Sequence, residues 1–374
     1  MDFELDDEQR ELQDTVRGIV DKECSPSFVR TVIDDGIDPA GWWATMVELD
    51  WPALAIAEEH GGLGMGWIEL AILLEELGRA TDPSPFVGTT TQFAPAVTHC
   101  GDADQRARWL GGVASGSITG ALALGADTIT AVPTDGGWRL DGSVRHVVDG
   151  DRADEMAVVA TVQGDDGGDG QPAVFVVECT TPGLTAERTP AFDLLVHIAD
   201  ITITGVEVAA DRRLDGADVA GGIERALAEA TLGWAIPTVG ASQRILDMTV
   251  DYAKERHQFG VPIGSFQAVK HKVVDIYVAI ERARAVCQYA ALMLADDDPA
   301  DDELAWRTAV SMAKAAAGDC QKVAIANGIQ LFGGIGFTWE NDLQISVRRA
   351  KLGEVMFGSA AEHRRRIAKE ALAS

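Results

Sequence analysis

Two stretches of this 374-residue chain carry side chains suited to holding an anionic, ring-bearing ligand. In Arg256-His257-Gln258-Phe259-Gly260 the guanidinium of Arg256 offers a planar fork of donors that matches a pyrophosphate. Gln258 and the nearby Gln267 can hydrogen-bond a base or ribose edge, and Phe259 can cover an adenine or another ring face. In Gln330-Leu331-Phe332-Gly333-Gly334 the paired glycines let the backbone approach a bulky phosphate–ribose group that a Cβ would obstruct. Either stretch alone reads equally well as a solvated arginine, a core phenylalanine and a glycine turn between helices. Both in order favour the ligand.

The elements that must position these residues follow from apolar periodicity. The first ~118 residues have helical spacing, with Leu5, Leu12, Val16, Ile19 and Val20 on one stripe. Ile68 to Leu77 forms another helix, closed by Gly78, and Pro83, Pro85 and Pro95 mark extended connections. Near residue 119 the period changes. Trp138 to Leu140 and Ser143 to Val148 read as two strands around an Asp141-Gly142 turn, and Met156 to Val162, Ala173 to Glu178 and Ile198 to Val208 as further strands. The stretch Gly164 to Gly170 reads as a solvated hairpin loop.

From about residue 220 helical spacing returns. Trp234, Thr238, Ala241, Ile245, Met248 and Tyr252 step by 4, 3, 4, 3 and 4 along one long helix, with a kink or helix start expected at Pro237. Helices are expected from about Phe266 to Ala295, Glu303 to Asn327 and Asn341 to the end, with an acidic loop at 296–302. The division is an N-terminal helical domain (1–118), a middle β domain (119–215) and a C-terminal four-helix bundle (216–374).

Charge and cysteine usage narrow the partners. With 31 basic and 59 acidic residues the net charge is −28, which opposes phosphate neutralisation on nucleic acid and adsorption to anionic membranes. The acidic start is unlike a signal peptide, and no apolar run is long enough for a membrane span. Five scattered cysteines, with no Cys-x-x-Cys and no histidine at metal-ligand spacing, read as buried free thiols in a cytoplasmic protein with no metal. From Val347 to Ser374 seven basic residues face three acidic ones, so the C-terminal end is locally basic.

The Arg-x-Gln-Phe-Gly and Gln-x-x-Gly-Gly pair, the His60-Gly61-Gly62-Leu63-Gly64 turn and the α–β–α order together resemble the acyl-CoA dehydrogenase family of flavoproteins. The resemblance spans nearly the whole chain. It implies an α+β fold: an N-terminal α-helical domain, a middle β-barrel or sandwich and a C-terminal four-helix bundle. It also implies FAD as cofactor, an acyl-CoA substrate and an electron-transfer flavoprotein or similar acceptor. Carried over, Arg256, Gln258, Phe259 and Gln267 meet Gln330, Gly333 and Gly334 across a subunit interface, so a homo- or hetero-oligomer, dimer or tetramer, is implied.

The chain departs from the family pattern at the reacting end. The family removes an α proton with a carboxylate, which many members carry in a Tyr-Glu-Gly-Thr segment. Here Met356-Phe357-Gly358-Ser359 puts Phe357 at that glutamate, and phenylalanine takes no proton. Other members carry the base in the long helix, at a position that falls on Ala230 with Glu229 beside it. Glu229 is thus a possible base, against the plainer reading of a solvated helix glutamate. In the β domain the loop at Ala121 to Asp127 is shortened, His146 replaces a tryptophan, and Val148 stands where a flavin-contacting threonine would be. Val148 retains its backbone N–H.

A kept ADP-binding half with worn proton-abstracting elements is what one subunit of a mixed oligomer would show. The expected function is FAD-dependent α,β-dehydrogenation of an acyl-CoA, with the partner supplying the catalytic glutamate. A homo-oligomeric enzyme using Glu229 is the alternative, and a non-enzymatic scaffold or regulator a second.

Overall fold

The computed structural model describes residues 5–125, 128–163, 170–295 and 303–373. Helices come first: α1 (Asp7–Glu23), α2 (Pro26–Asp34), α3 (Ala40–Glu48), α4 (Trp67–Ala80), the single turn α5 (Phe86–Gly88), α6 (Ala94–Cys100) and α7 (Ala103–Ala114). Seven strands follow: β1 (Gly120–Leu124), β2 (Ile129–Thr134), β3 (Gly137–Val148), β4 (Glu155–Val162), β5 (Gln171–Glu178), β6 (Leu184–Arg188) and β7 (Ile198–Ala209). The chain then forms α8 (Val219–Glu255), the two-residue strands β8 (His257–Gln258) and β9 (Val261–Pro262), and helices α9 (Gln267–Ala295), α10 (Glu303–Phe332), α11 (Leu343–Val355) and α12 (Ala360–Ala373). The helix–sheet–helix order is the one expected. The acidic stretch 296–302, residues 164–169 of the hairpin loop, and Ala126 and Asp127 lie outside the described residues.

The chain divides into two compact units. One comprises Met1–Ile37, Gly66–Asp82 and Thr231–Ser374; the other comprises Asp38–Met65 and Pro83–Ala230.

In the second unit all seven strands join one sheet, ordered β1-β4-β2-β3-β7-β6 with β5 on the far side of β4. Alternation sets two faces. Met156, Val158 and Ala160 of β4 enter one core with Ala121, Phe175, Leu140, Leu184 and Ile201, so residues from both ends of the strand order share that core and the sheet curls around it. Ala157 and Val159 face the opposite core, formed with Phe93, Val97, Trp109 and Leu110 of the helical segments. Asp141-Gly142 is not a hairpin turn. β3 runs straight through it, and Gly142, at φ 142°, marks a register shift against β7; the β2–β3 turn lies at Asp135-Gly136 instead. Pro95 marks no extended connection, since it lies inside α6.

In the first unit Asp6 opens α1 with a capping box, its Oδ1 accepting from the Gln9 N–H at 2.8 Å while Gln9 Oε1 accepts from the Asp6 N–H at 3.2 Å. α4 does not stop at Gly78. A Cβ there would lie 2.4 Å from the Pro237 backbone, so this glycine is a close-packing contact within a continuing helix. Pro237 likewise starts nothing: α8 begins at Val219 and passes through it. Residues 231–240 are buried all round, so neighbours on every side hold the helix where a backbone hydrogen bond is missing. The expected final helix is two, α11 and α12, divided at Met356 to Ser359.

Candidate cofactor-binding site

Three helix ends in the first unit converge on the predicted ligand residues. Tyr252, in the last turn of α8, stacks on Phe332 at the end of α10, with centroids 4.4 Å apart and planes 12° from parallel. Lys272 Nζ in the second turn of α9 donates to Asn327 Oδ1 at 3.1 Å. The ends of α8 and α10 and the start of α9 therefore share one end of the helix group. Arg256, Gln258, Phe259, Gln267, Gln330, Gly333 and Gly334 all spring from it.

The hairpin after α8 is held at its base by Arg256 O, which accepts from Ile263 N–H at 2.8 Å. Its turn is Phe259-Gly260, with φ 54° and 81°, the signature of a type I′ turn. A phenylalanine in left-handed backbone costs about 1–2 kcal/mol, and asparagine or glycine would do the turn's work without that cost. Phe259 is 93% exposed, and its ring stands T-shaped to that of Phe266 with centroids 6.1 Å apart. Neither turn chemistry nor burial explains Phe259. Arg256, Gln258 and Gln267 are exposed beside it, and Arg256 makes no ion pair among the described residues.

Beyond α10, Gly333 takes φ 65°, and nothing lies within 4 Å of a Cβ built on Gly333 or Gly334. The glycines face open space, not a packing contact. The turn is fixed from behind: Gln344 Nε2 donates to Gly336 O, and Arg30 lies 4.7 Å over the Trp339 ring while donating to Trp339 O at 2.7 Å. Tyr252, Phe332, Arg30 and Trp339 were not read as site residues from the sequence. Tyr252 lay in plain view as the last member of the helical stripe.

Phe357 sits half-buried between α11 and α12 at φ 55°, followed by Gly358 at 104°. This turn is tied down on each side. Lys314 Nζ, 1% exposed as a residue, donates to the carbonyls of Gly353 and Glu354. His363, equally buried, has Nε2 3.0 Å from Phe357 O and Nδ1 3.3 Å from Ser311 Oγ. Burial pushes the Lys314 ammonium down to about 7 and the His363 imidazole down to about 4. His363 is thus neutral near pH 7, its Nε2–H donating to Phe357 O and its Nδ1 accepting from Ser311.

The remaining two predicted residues lie in the second unit. Glu229 is not a solvated helix glutamate. It is 7% exposed, with Oε1 2.6 Å from His99 Nε2 and 3.3 Å from Arg225 Nε. Ala230 beside it is fully buried. Val148 ends β3, after a bulge in which His146 takes φ 63° with its side chain exposed. Asp149 N–H donates to His197 O, so Val148 occupies a non-hydrogen-bonded pair with Ile198, and its own N–H is directed away from β7. Asp149 itself is buried, which raises its carboxyl against the pull of the Arg152 guanidinium 2.6 Å away. A cavity of about 570 Å³ in the first unit is lined by Arg17, Glu75, Glu281 and Arg284, whose charges are paired with one another or with Glu76, and by none of the predicted site residues.

Comparison with known proteins matches residues 6–117 to the acyl-CoA dehydrogenase N-terminal domain and residues 220–372 to the acyl-CoA dehydrogenase C-terminal domain. Acyl-CoA dehydrogenase IpdE2 of Mycobacterium tuberculosis is 33% identical over 366 residues, covering 97% of each chain. The chain belongs to the acyl-CoA dehydrogenase family. Among solved structures of the family, the ChsE4–ChsE5 complex from Mycobacterium tuberculosis is similar with a TM-score of 0.88 and 27% identity over 100% of both chains. A Tcur3481–Tcur3483 steroid ACAD variant is similar with a TM-score of 0.84 and 31% identity, covering 98% of this chain and 99% of that one.

This acyl-CoA dehydrogenase is a flavin-dependent oxidoreductase acting on acyl-CoA, and its cofactor is FAD. The residues present fit the ADP half: an exposed guanidinium with no ion pair among the described residues, two exposed amides, an exposed phenyl ring and a glycine pair with open space at both Cβ positions. Among the described residues no helix is long and apolar enough to cross a membrane.

Proposed function

We propose that this chain is one subunit of a hetero-oligomeric acyl-CoA dehydrogenase whose partner supplies the catalytic carboxylate. The carrying observation is Phe357: a side chain that accepts no proton, at the position of the family's usual glutamate, in a turn held by Lys314 and His363. The likeness to the ChsE4–ChsE5 complex supports the mixed assembly.

Bound FAD would supply the hydride acceptor for the substrate's β hydrogen. Arg256 would take the pyrophosphate, Gln258 and Gln267 the ribose or base edge, and Phe259 the face of the adenine. Gln330, Gly333 and Gly334 would offer backbone and amide contacts to the ADP half held by a neighbouring subunit. In the β sheet the outward N–H of Val148 would donate to the flavin ring. Electrons would pass on to an electron-transfer flavoprotein or similar acceptor in the cytoplasm. The domains of this reading are 1–118, 119–215 and 216–374.

Co-expression with the chain of the neighbouring reading frame tests it. The expected result is a stable mixed complex that retains FAD and dehydrogenates acyl-CoA, while the chain alone does neither well. R256A in that complex should lower flavin content after gel filtration several-fold. A chain that alone binds one FAD per subunit and turns over acyl-CoA ends the proposal. One observation favours a homo-oligomeric enzyme instead: Glu229 is held against an imidazole able to carry its proton onward.

A further inference from the structure

Four helices of the first unit, α1, α4, α8 and α9, line the cavity of about 570 Å³. That volume falls within the range of about 300–1,000 Å³ typical of small-molecule pockets. Helical spacing builds its walls. Arg10, Gln13 and Arg17 follow one face of α1, and Tyr277, Glu281, Arg284 and Gln288 follow one face of α9. Ala71, Ile72, Ile236 and Ala291 add a buried apolar surface. The cavity is not the cofactor end. Tyr277 stands ten residues beyond Gln267 on α9, about 15 Å at the rise of a helix, and Gln288 lies further still.

The charges of the walls are taken up by one another. Arg284 donates from Nε and Nη2 to Glu75 at 2.9 and 2.7 Å, from Nη2 to Gln243 Oε1 at 3.0 Å, and from Nη1 to Glu281. Arg17 Nη2 donates to Glu76 at 2.7 Å and Arg10 Nη1 to Asp7 at 3.1 Å. An entering carboxylate would meet Glu75 and Glu281 while every arginine is already paired. An ammonium would meet Arg17 and Arg284 while the glutamates are already paired. Either would lose its hydration without gaining a free counter-charge. The neutral polar groups are the reverse case. Among the described residues the side chains of Gln13, Tyr277 and Gln288 have no hydrogen-bond partner, whereas the remaining amide of the cavity, Gln243, is used on both sides, its Nε2 donating to Asp247 at 2.8 Å.

We propose that this cavity binds an uncharged ring molecule carrying a hydroxyl or keto oxygen, with the ring on the apolar surface of Ile72 and Ile236 and the oxygen on the amides of Gln13 and Gln288. An amide offers both donors and an acceptor, so it serves a hydroxyl and a keto group alike. A rigid ring fills a compact space between helices with less ordering cost than a flexible chain. The site goes beyond the dehydrogenation reaction and is the same whichever subunit carries the base.

The test is equilibrium dialysis at pH 7 of the intact protein, with any subunit that copurifies, against 2-naphthol, 2-naphthoate and 2-naphthylmethylammonium, one ring system in neutral, anionic and cationic form. About one 2-naphthol should bind per chain, with a Kd at least about 10-fold below that of either charged analogue. Saturating FAD should leave that Kd unchanged. Q13A and Q288A should each raise it about 3- to 10-fold, the worth of one hydrogen bond. A71L, which adds bulk to the apolar surface, should abolish binding and keeps the test decisive should an amide variant fold poorly. Equal affinity for the three compounds overturns the proposal. So does an absence of bound 2-naphthol up to about 1 mM, the weak limit of specific binding. Competition between 2-naphthol and FAD, or an affinity that none of the three variants changes, would place the ligand elsewhere and overturn it as well.

Discussion

The Tyr252 ring lies face to face on Phe332, 4.4 Å between centroids, and so ties the helix that ends in Arg256 to the helix that ends in Gly333. Together the two rings set the spacing of the two groups proposed to hold FAD. Y252L keeps apolar bulk and loses the stacking, which is worth about 0.5–1.5 kcal/mol beyond area. Tm is expected to fall by a few degrees, and the Kd for FAD to rise several-fold, read by flavin fluorescence on titration. A Tm loss with an unchanged FAD Kd would reduce the pair to packing.

The two glycines after Phe332 separate backbone demand from ligand clearance. Gly333 stands at φ 65°, so G333A carries left-handed strain of about 1–2 kcal/mol even without ligand. Gly334 has ordinary backbone and open space at its Cβ, so G334A should leave the apoprotein's urea midpoint within error of wild type. On the proposed site its FAD Kd should nevertheless rise about 10-fold, since the added methyl would stand where the ADP half is proposed to pass. Equal FAD affinity in G334A and wild type would remove this turn from the site.

Glu229 separates the two functional readings. Its carboxylate is buried against His99 and Arg225, so E229Q removes a charge from a buried pair and should cost about 3 kcal/mol of stability. If the partner carries the base, the folded complex keeps kcat within a few-fold. Loss of kcat by three orders of magnitude with normal FAD content would instead make Glu229 the base of a self-sufficient enzyme.

His363 gives a pH signature. Its folded value of about 4 lies below the ordinary 6.5 of histidine because the ring is buried; the hydrogen bond to Phe357 O opposes this, Arg366 and Lys314 add repulsion, and Glu362 pulls weakly the other way. Between these values the unfolded chain binds a proton that the folded chain does not. The His363 contribution is therefore fully present above pH 6.5 and declines as pH falls towards 4, by up to about 1.4 kcal/mol per unit. H363Q, which can still donate to Phe357 O, should flatten this part of the urea-midpoint profile between pH 7 and 4.5. An identical slope in both proteins would assign the acid loss elsewhere.

Much of this was legible in the residues. The stripe from Trp234 to Tyr252 found the long helix, and the arginine hairpin and glycine pair, both local patterns, stand at one end of the helix group as expected. What escaped was set by distant partners. Gly78 looked like a helix stop and is a contact with Pro237; Asp141-Gly142 looked like a hairpin and is a bulge imposed by the register with β7. Glu229 looked solvated because its partner His99 is 130 residues away in the chain.

The bare Phe259 ring has a consequence for ionic strength. Copies of a chain with net charge −28 repel one another in dilute buffer, and at about 10 Å screening in 0.1 M salt that repulsion still reaches across a contact. The exposed aromatic tip pulls the other way. Self-association through it should strengthen as salt rises, whereas a less acidic partner would cover the same ring in low salt. Where FAD does not cover this ring, added salt should therefore favour self-association, a trend that sedimentation across a salt series would read.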